Sequence, residues 1–184
     1  KSELFTRTNH RIVHILFEPI DPENEHNPIA LLQKINVQRQ DAVLVTLFTL
    51  NAIYGDQLGT CLLHLKNTTP KGSSLLNADF SLKEEINAAF HQKSSIFCLV
   101  DLQEKKWTAF VEYIPAPVSV VIVGAGNDSI PIMDMAALLG WEVTIVDGRH
   151  SHATRRRFPL AKEIHVSKAE DILTKITPDA RTFF

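Results

Sequence analysis

Several shortages in this sequence each remove a class of function. There are only two cysteines in 184 residues, Cys61 and Cys98, far apart and flanked by apolar residues in TCLLHL and IFCLV. That forms no iron–sulfur pattern and does not indicate a disulfide, so they read as two buried thiols in a reducing cytoplasm. Charge of one sign is scarce too. Lys and Arg number 19 against 21 Asp and Glu, for a formal net charge of -2, and the longest like-charge run is Arg155-Arg156-Arg157. Such a balance argues against a nucleic-acid or membrane surface. No apolar run reaches the roughly 18–20 residues of a membrane span. The N-terminal KSELFTRTNHR has no signal-peptide hydrophobic region. Neither G-x-S-x-G nor H-E-x-x-H occurs, and no nucleophile is paired with an evident base. What remains, at 45% hydrophobic, is a cytoplasmic globular chain able to bury a core in one domain or two small ones.

The elements that are present change character along the chain. IVHILF (12–17) is a short β-branched strand ending at Pro19 and the turn-forming DPENEHNP. Asn27 predicts an N-cap with Pro28 at the first helical position. AVLVTLFTL (42–50) and TCLLHL (60–65) read as antiparallel strands around NAIYGDQLG; apolar strands of this kind suit either a buried sheet or a homodimer contact. Ser81 and Glu84 form a capping-box pattern for a helix through about His91. SIFCLV (95–100) and KWTAFVEYI (106–114) are two further strands joined by DLQEK. After Pro115-Ala-Pro117 the pattern becomes alternating strand and helix. VSVVIVGAG reads as a strand buried on both faces, Ile130, Met133, Ala136 and Ala137 as a helical stripe ending at Gly140, and WEVTIVD as a second strand. EIHV (163–166), a helix boxed by Ser167 and Glu170 through Ile176, and the start of a strand at TFF complete the series. The expectation is therefore α/β: a Rossmann-like parallel-sheet domain over 118–184, truncated at its C-terminal end, joined by a Pro-rich linker (115–117) to a smaller α+β domain over 1–114. The sequence given is expected to be part of a longer polypeptide.

The stretch GAGNDS is the chemical focus. A strand–glycine turn–helix presents free N–H groups and a positive dipole end to a phosphate. Gly124 suits the tight turn, Gly126 the close approach, and Asp147, at the end of the second strand, is placed to bond a ribose 2′-hydroxyl. Ser129 replaces the third glycine of G-x-G-x-x-G, a modest enlargement. Asp128 favours the helix dipole but repels a phosphate, unless it turns away or holds a bridging cation. The fold signal is strong and the cofactor signal weak. A dinucleotide, NAD(P), remains one of several candidate ligands.

The other polar clusters have blander readings. His150 and His152 form an H-x-H pair with no acid or thiol cluster beside it, and read as a solvated loop rather than a zinc site. His10, His14, His26, His64, His91 and His165 are scattered. Arg149, Arg155, Arg156 and Arg157 follow the second strand, near the crevice of an open α/β sheet, where one or two would meet an anion; the alternative is a solvated face.

At this point the residues resemble a family. The run FVEYIPAPVSVVIVGAGND, with MAALLGWEVTIVDGRHSHATRRRFPLAKEIHV after it, is similar to the C-terminal half of XdhC/CoxI proteins, and HILFEPID is similar to the strand following that family's N-terminal module. The shared features are the Pro-rich approach, GAG followed by His or Asn, GWxVTxVDxR and A-T-x-x-R-F-P. The resemblance implies an accessory factor, not an enzyme: a cytoplasmic, usually dimeric protein that binds molybdenum cofactor during sulfuration and delivers it to xanthine dehydrogenase or a related molybdenum hydroxylase. A cysteine desulfurase is a further implied partner. On this reading Gly124, Gly126, Asn127, Asp147 and Arg149 line the cofactor site. A nicotinamide-linked oxidoreductase and a non-catalytic docking domain are the alternatives. The family's glycine-rich segment with cysteine is matched by neither Cys61 nor Cys98, nor by residues 1–11.

Overall fold

The computed structural model describes residues 3–8, 12–37, 39–51, 55–66, 68, 71–72, 82–102 and 104–184. The chain divides into two compact units, Lys1–Pro115 and Ala116–Phe184, the first being the longer.

The first unit is built on a five-stranded antiparallel sheet. Its strands are β3 (Ala42–Phe48), β4 (Gly59–Leu65), β5 (Lys71–Gly72), β6 (Ile96–Leu102) and β7 (Lys105–Ile114), in the spatial order β5-β4-β3-β7-β6. Period-two alternation sends Val43, Val45 and Leu47 to one face, where Ile86 and Ala89 of α2 (Lys83–Gln92) pack on them with Trp107 and Val111. Ala42 and Leu44 point the other way, against Leu31 and Ile35 of α1 (Pro28–Ile35). Strand 42–48 is therefore core. Asn27 caps α1 as its residue type predicts: its Oδ1 accepts the Ala30 N–H at 2.9 Å. A separate two-stranded antiparallel sheet pairs β2 (Ile12–Phe17) with β1 (Glu3–Thr8), a strand the sequence pattern did not signal.

Two expectations change here, and a third, the Ser81 capping box, is untested. Ser81 lies outside the described residues, and α2 begins after Leu82 with no side-chain cap bond. The turn after β6 is shorter than DLQEK, with Glu104 at φ 62°. Cys61 is buried, but Cys98, on edge strand β6, is only half-buried.

The second unit is an open parallel sheet. Strands β8 (Ser119–Val123), β9 (Glu142–Asp147), β10 (Glu163–Val166) and β11 (Thr182–Phe183) lie in the order β10-β9-β8-β11, all parallel. Helix α3 (Ser129–Leu138) joins β8 to β9 and buries Met133 and Ala136 on one face, against Val143 and Ile145. Its Pro131 sits in the first turn, where a missing N–H costs nothing. Gly140, at φ 72°, ends the helix: its N–H reaches the Ala137 carbonyl at 3.0 Å and the Trp141 N–H the Ala136 carbonyl at 2.9 Å, a Schellman pair. Phe158 and Ala161, from the β9–β10 connection, fill the rest of that face. The short helix α4 (Ile172–Lys175) lies on the opposite face, with Ile172 against Val121 and Val146. The first two connections share one face and the last lies on the other, which puts a topological switch between β8 and β11, and ligands of such sheets bind beyond the strands' carboxyl ends there.

Two further corrections follow. β8 is not buried on both faces, because α4 reaches Val121 but leaves Val123 49% exposed. Ser167 and Glu170 form no capping box: Ser167 Oγ donates to the Lys168 carbonyl, and a 3-10 turn (Ala169–Asp171) precedes α4.

Phe158 is fully buried at the centre of the second unit's larger cluster. Phe158→Ala is expected to destabilise that unit by about 3–5 kcal/mol in chemical denaturation; a loss under about 1 kcal/mol would contradict the packing described.

Candidate functional site

The site begins where β8 ends. Gly124 adopts φ 117°, which strains any side chain, and its N–H donates to the Val146 carbonyl at 2.7 Å, so the turn closes over the end of β9. The chain then runs through Ala125 and Gly126 to the start of α3. Ser129, in place of a third glycine, is buried, and its Oγ donates to the Gly124 carbonyl at 2.7 Å. The hydroxyl is thus wired into the turn, a role its small size alone did not announce.

Asp147 is the anchor. Its Oδ2 accepts the Ala125 N–H at 2.7 Å and Arg149 Nη2 at 2.7 Å. Its Oδ1 accepts the Arg149 backbone N–H at 2.8 Å and Arg149 Nε at 2.9 Å. A carboxylate offers about four lone-pair positions, and all four are used. The Arg149 fork, then the Ala125 N–H, hold this carboxyl well below the usual range, against the upward push of burial. The Arg149 guanidinium is raised in turn by the same carboxylate, and its side chain remains 58% exposed.

A second arginine braces the turn from outside. Arg157 Nη1 donates to the Ala125 carbonyl at 2.6 Å and to the His152 carbonyl at 3.2 Å, and Nη2 to Asn127 Oδ1 at 2.8 Å. Its guanidinium carbon stands 5.4 Å from the Phe158 ring centre, which fixes its direction. Arg155 is spent on the Ala161 and Lys162 carbonyls, and Arg156 is exposed. The arginine run is therefore divided: one member holds the glycine turn, one the β10 approach. Sequence spacing did not separate them, because Arg157 meets Ala125 only through the fold.

The structure thus brings Gly124, Gly126, Asn127, Asp147 and Arg149 to one turn, but commits two of them to each other and Asn127 to Arg157. Asp128 caps nothing; it is exposed, and its carboxylate lies where a Cβ on residue 126 would be. It therefore sits beside the opening that Gly126 makes, and an anion enters only if this side chain rotates away.

Among the described residues no three His, Cys, Asp or Glu side chains come together as for a metal. His152 Nδ1 is 3.0 Å from Ser151 Oγ, and His10 lies outside the described residues. Burial, then Glu18, pushes the Cys61 thiol up to about 12, and burial with Glu85 raises Cys98. Neither has the depressed pKa of a reactive thiolate.

Asp147→Ala leaves the Ala125 N–H without its acceptor, with an expected cost of about 1–3 kcal/mol at neutral pH. Because the folded carboxyl is depressed, its contribution is complete above its unfolded pKa, about 3.9. It is lost as pH falls toward the folded value. The stability gap between wild type and variant should therefore narrow on acidification; a gap constant from pH 7 to about 2 would contradict the clamp.

Residues 120–182 match the family model described as XdhC Rossmann domain. No curated protein matches the chain. Among solved structures, a protein described as a xanthine dehydrogenase from Bacillus halodurans aligns at 14% identity, over 86% of this chain and 71% of its own, with a TM-score of 0.39. A parallel sheet in the order β10-β9-β8-β11, a glycine turn at the end of β8 and the family-model match agree: over residues 120–182 the C-terminal unit is similar to the XdhC Rossmann domain.

Proposed function

We propose that this chain is an accessory protein of a xanthine dehydrogenase-type molybdenum hydroxylase, holding molybdenum cofactor and delivering it to the apoenzyme. The observation that carries the reading is the XdhC Rossmann match over residues 120–182. The cofactor is a phosphate-bearing pterin dithiolene, or its nucleotide form, that carries the molybdenum centre for the client. The residues of the glycine turn fit such a phosphate: Gly124 and Gly126 clear the backbone, the N-terminus of α3 points a positive dipole at it, and Arg149 offers an exposed cation. Asp128 opposes it and, being exposed, has room to rotate out.

The chain's part is binding and transfer without turnover. With both thiols raised, sulfur would come from a separate enzyme such as a cysteine desulfurase. A cytoplasmic location belongs to the same reading; no helix among the described residues is long and apolar enough to cross a membrane.

A second reading, a docking domain for the dehydrogenase or for a second copy in a homodimer, is favoured by the outer side of α3. Ile132, Met135 and Leu138 are 45%, 59% and 88% exposed there. A nicotinamide-linked oxidoreductase whose cofactor carries a free ribose diol is disfavoured by the saturated Asp147 carboxylate.

Anaerobic co-elution of the full-length gene product with molybdenum cofactor, read by pterin fluorescence and metal content, is expected to show retention near one per chain. Gly126→Asp should reduce it by about tenfold or more while leaving the fold intact, since only the movable end of Asp128 stands in its way. Equal retention by the variant overturns the placement at the turn. No retention by the wild type overturns the carrier role and leaves the docking reading.

A further inference from the structure

In a dinucleotide site of this fold, the acid at the end of the second strand accepts the ribose hydroxyls, and an arginine near it takes a 2′-phosphate instead. Here the acid is Asp147, at the end of β9, but its acceptor positions are filled by the Ala125 N–H and by three N–H groups of Arg149. A diol hydroxyl would have to displace one of four hydrogen bonds to an ionised carboxylate, two of them from the charged Arg149 guanidinium. Two of the Arg149 bonds, through Nε and Nη2, form a bidentate fork, and the third comes from its own backbone. The guanidinium meanwhile stays 58% exposed at the same spot.

We infer that Arg149 is the specificity-determining residue of the glycine turn: by saturating Asp147 it withdraws the diol acceptor and presents a cation in its place. The turn then selects a ligand carrying an anionic group at that position over one carrying a free ribose diol. This rests on the reading of the turn as a ligand site and adds the class of ligand that it admits.

The test is a gain of binding. NAD+ serves as the diol probe and adenosine 2′,5′-bisphosphate as the anionic probe, each titrated calorimetrically into the 184-residue chain. Arg149→Ala frees the Asp147 side-chain acceptors and removes the cation. It should bind NAD+ about tenfold or more tighter than wild type, and the bisphosphate more weakly relative to NAD+. The Asp147→Asn/Arg149→Ala double variant should lose the gain, since the carboxylate is then absent. Arg149→Lys, which keeps the charge but cannot fork, should gain NAD+ binding to a lesser extent, and it stands in should the alanine variant fail to fold by circular dichroism. Unchanged NAD+ affinity in the folded variants overturns the inference, as does a gain that survives in the double variant. The titration uses no molybdenum cofactor, so loss of the carrier reading leaves a positive result standing. A negative result leaves that reading to be judged by co-elution.

Discussion

One carboxylate organises the C-terminal unit. Asp147 closes β9, and its bond to the Ala125 N–H fixes the turn that follows the neighbouring strand. With the Gly124 N–H on the Val146 carbonyl, this locks the ends of β8 and β9 together beyond their last ladder pair, Val123 with Val146. The conformation of the turn, the direction in which α3 leaves it and the placing of Ser129 all follow. A backbone N–H buried in such a turn needs an acceptor, and an ionised one is the strongest available.

The rest of the unit serves to keep that geometry rigid. Met133 and Ala136 seat α3 on the sheet, and Phe158 fills the face beside it, where a longer β9–β10 connection would place a second helix. Phe158 also carries Arg157, whose fork ties the Ala125 carbonyl and Asn127 to the same core. Ala125 is therefore held on both sides, its N–H by Asp147 and its carbonyl by Arg157. A turn braced in this way is preorganised, which on the proposed carrier reading spares an anion the cost of ordering it. What must move is Asp128, a single exposed side chain.

Much of this was legible in the residues, and the failures have physical causes. The strand and helix order from Ser119 to Phe183 followed from apolar runs, glycines and the stripe of Met133 and Ala136. The capping of α1 followed from Asn27 and Pro28 because capping is local chemistry. Ser167 and Glu170 matched a capping box but did not form one, since a 3-10 turn moved the start of α4 past them. β1 was missed because Glu3–Thr8 carries no clear alternation; pairing with β2, not propensity, makes it a strand. At the site, the positions of Gly124, Gly126, Asn127, Asp147 and Arg149 around one turn were readable. That Asp147 and Arg149 are committed to each other was not, although D-x-R at a strand end permits the fork. Arg157 was the hardest, because 32 residues separate it from the carbonyl it holds.

The central claim is that the Asp147 carboxylate is saturated by the turn and by Arg149, and so is closed to a sugar. Carboxyl carbon NMR of the intact chain across an acid titration tests it most directly. The account predicts that Asp147 keeps its ionised shift well below the usual carboxylate range. An Asp147 signal that titrates within the usual carboxylate range would contradict it, and would return the acid to the groups a ligand can reach.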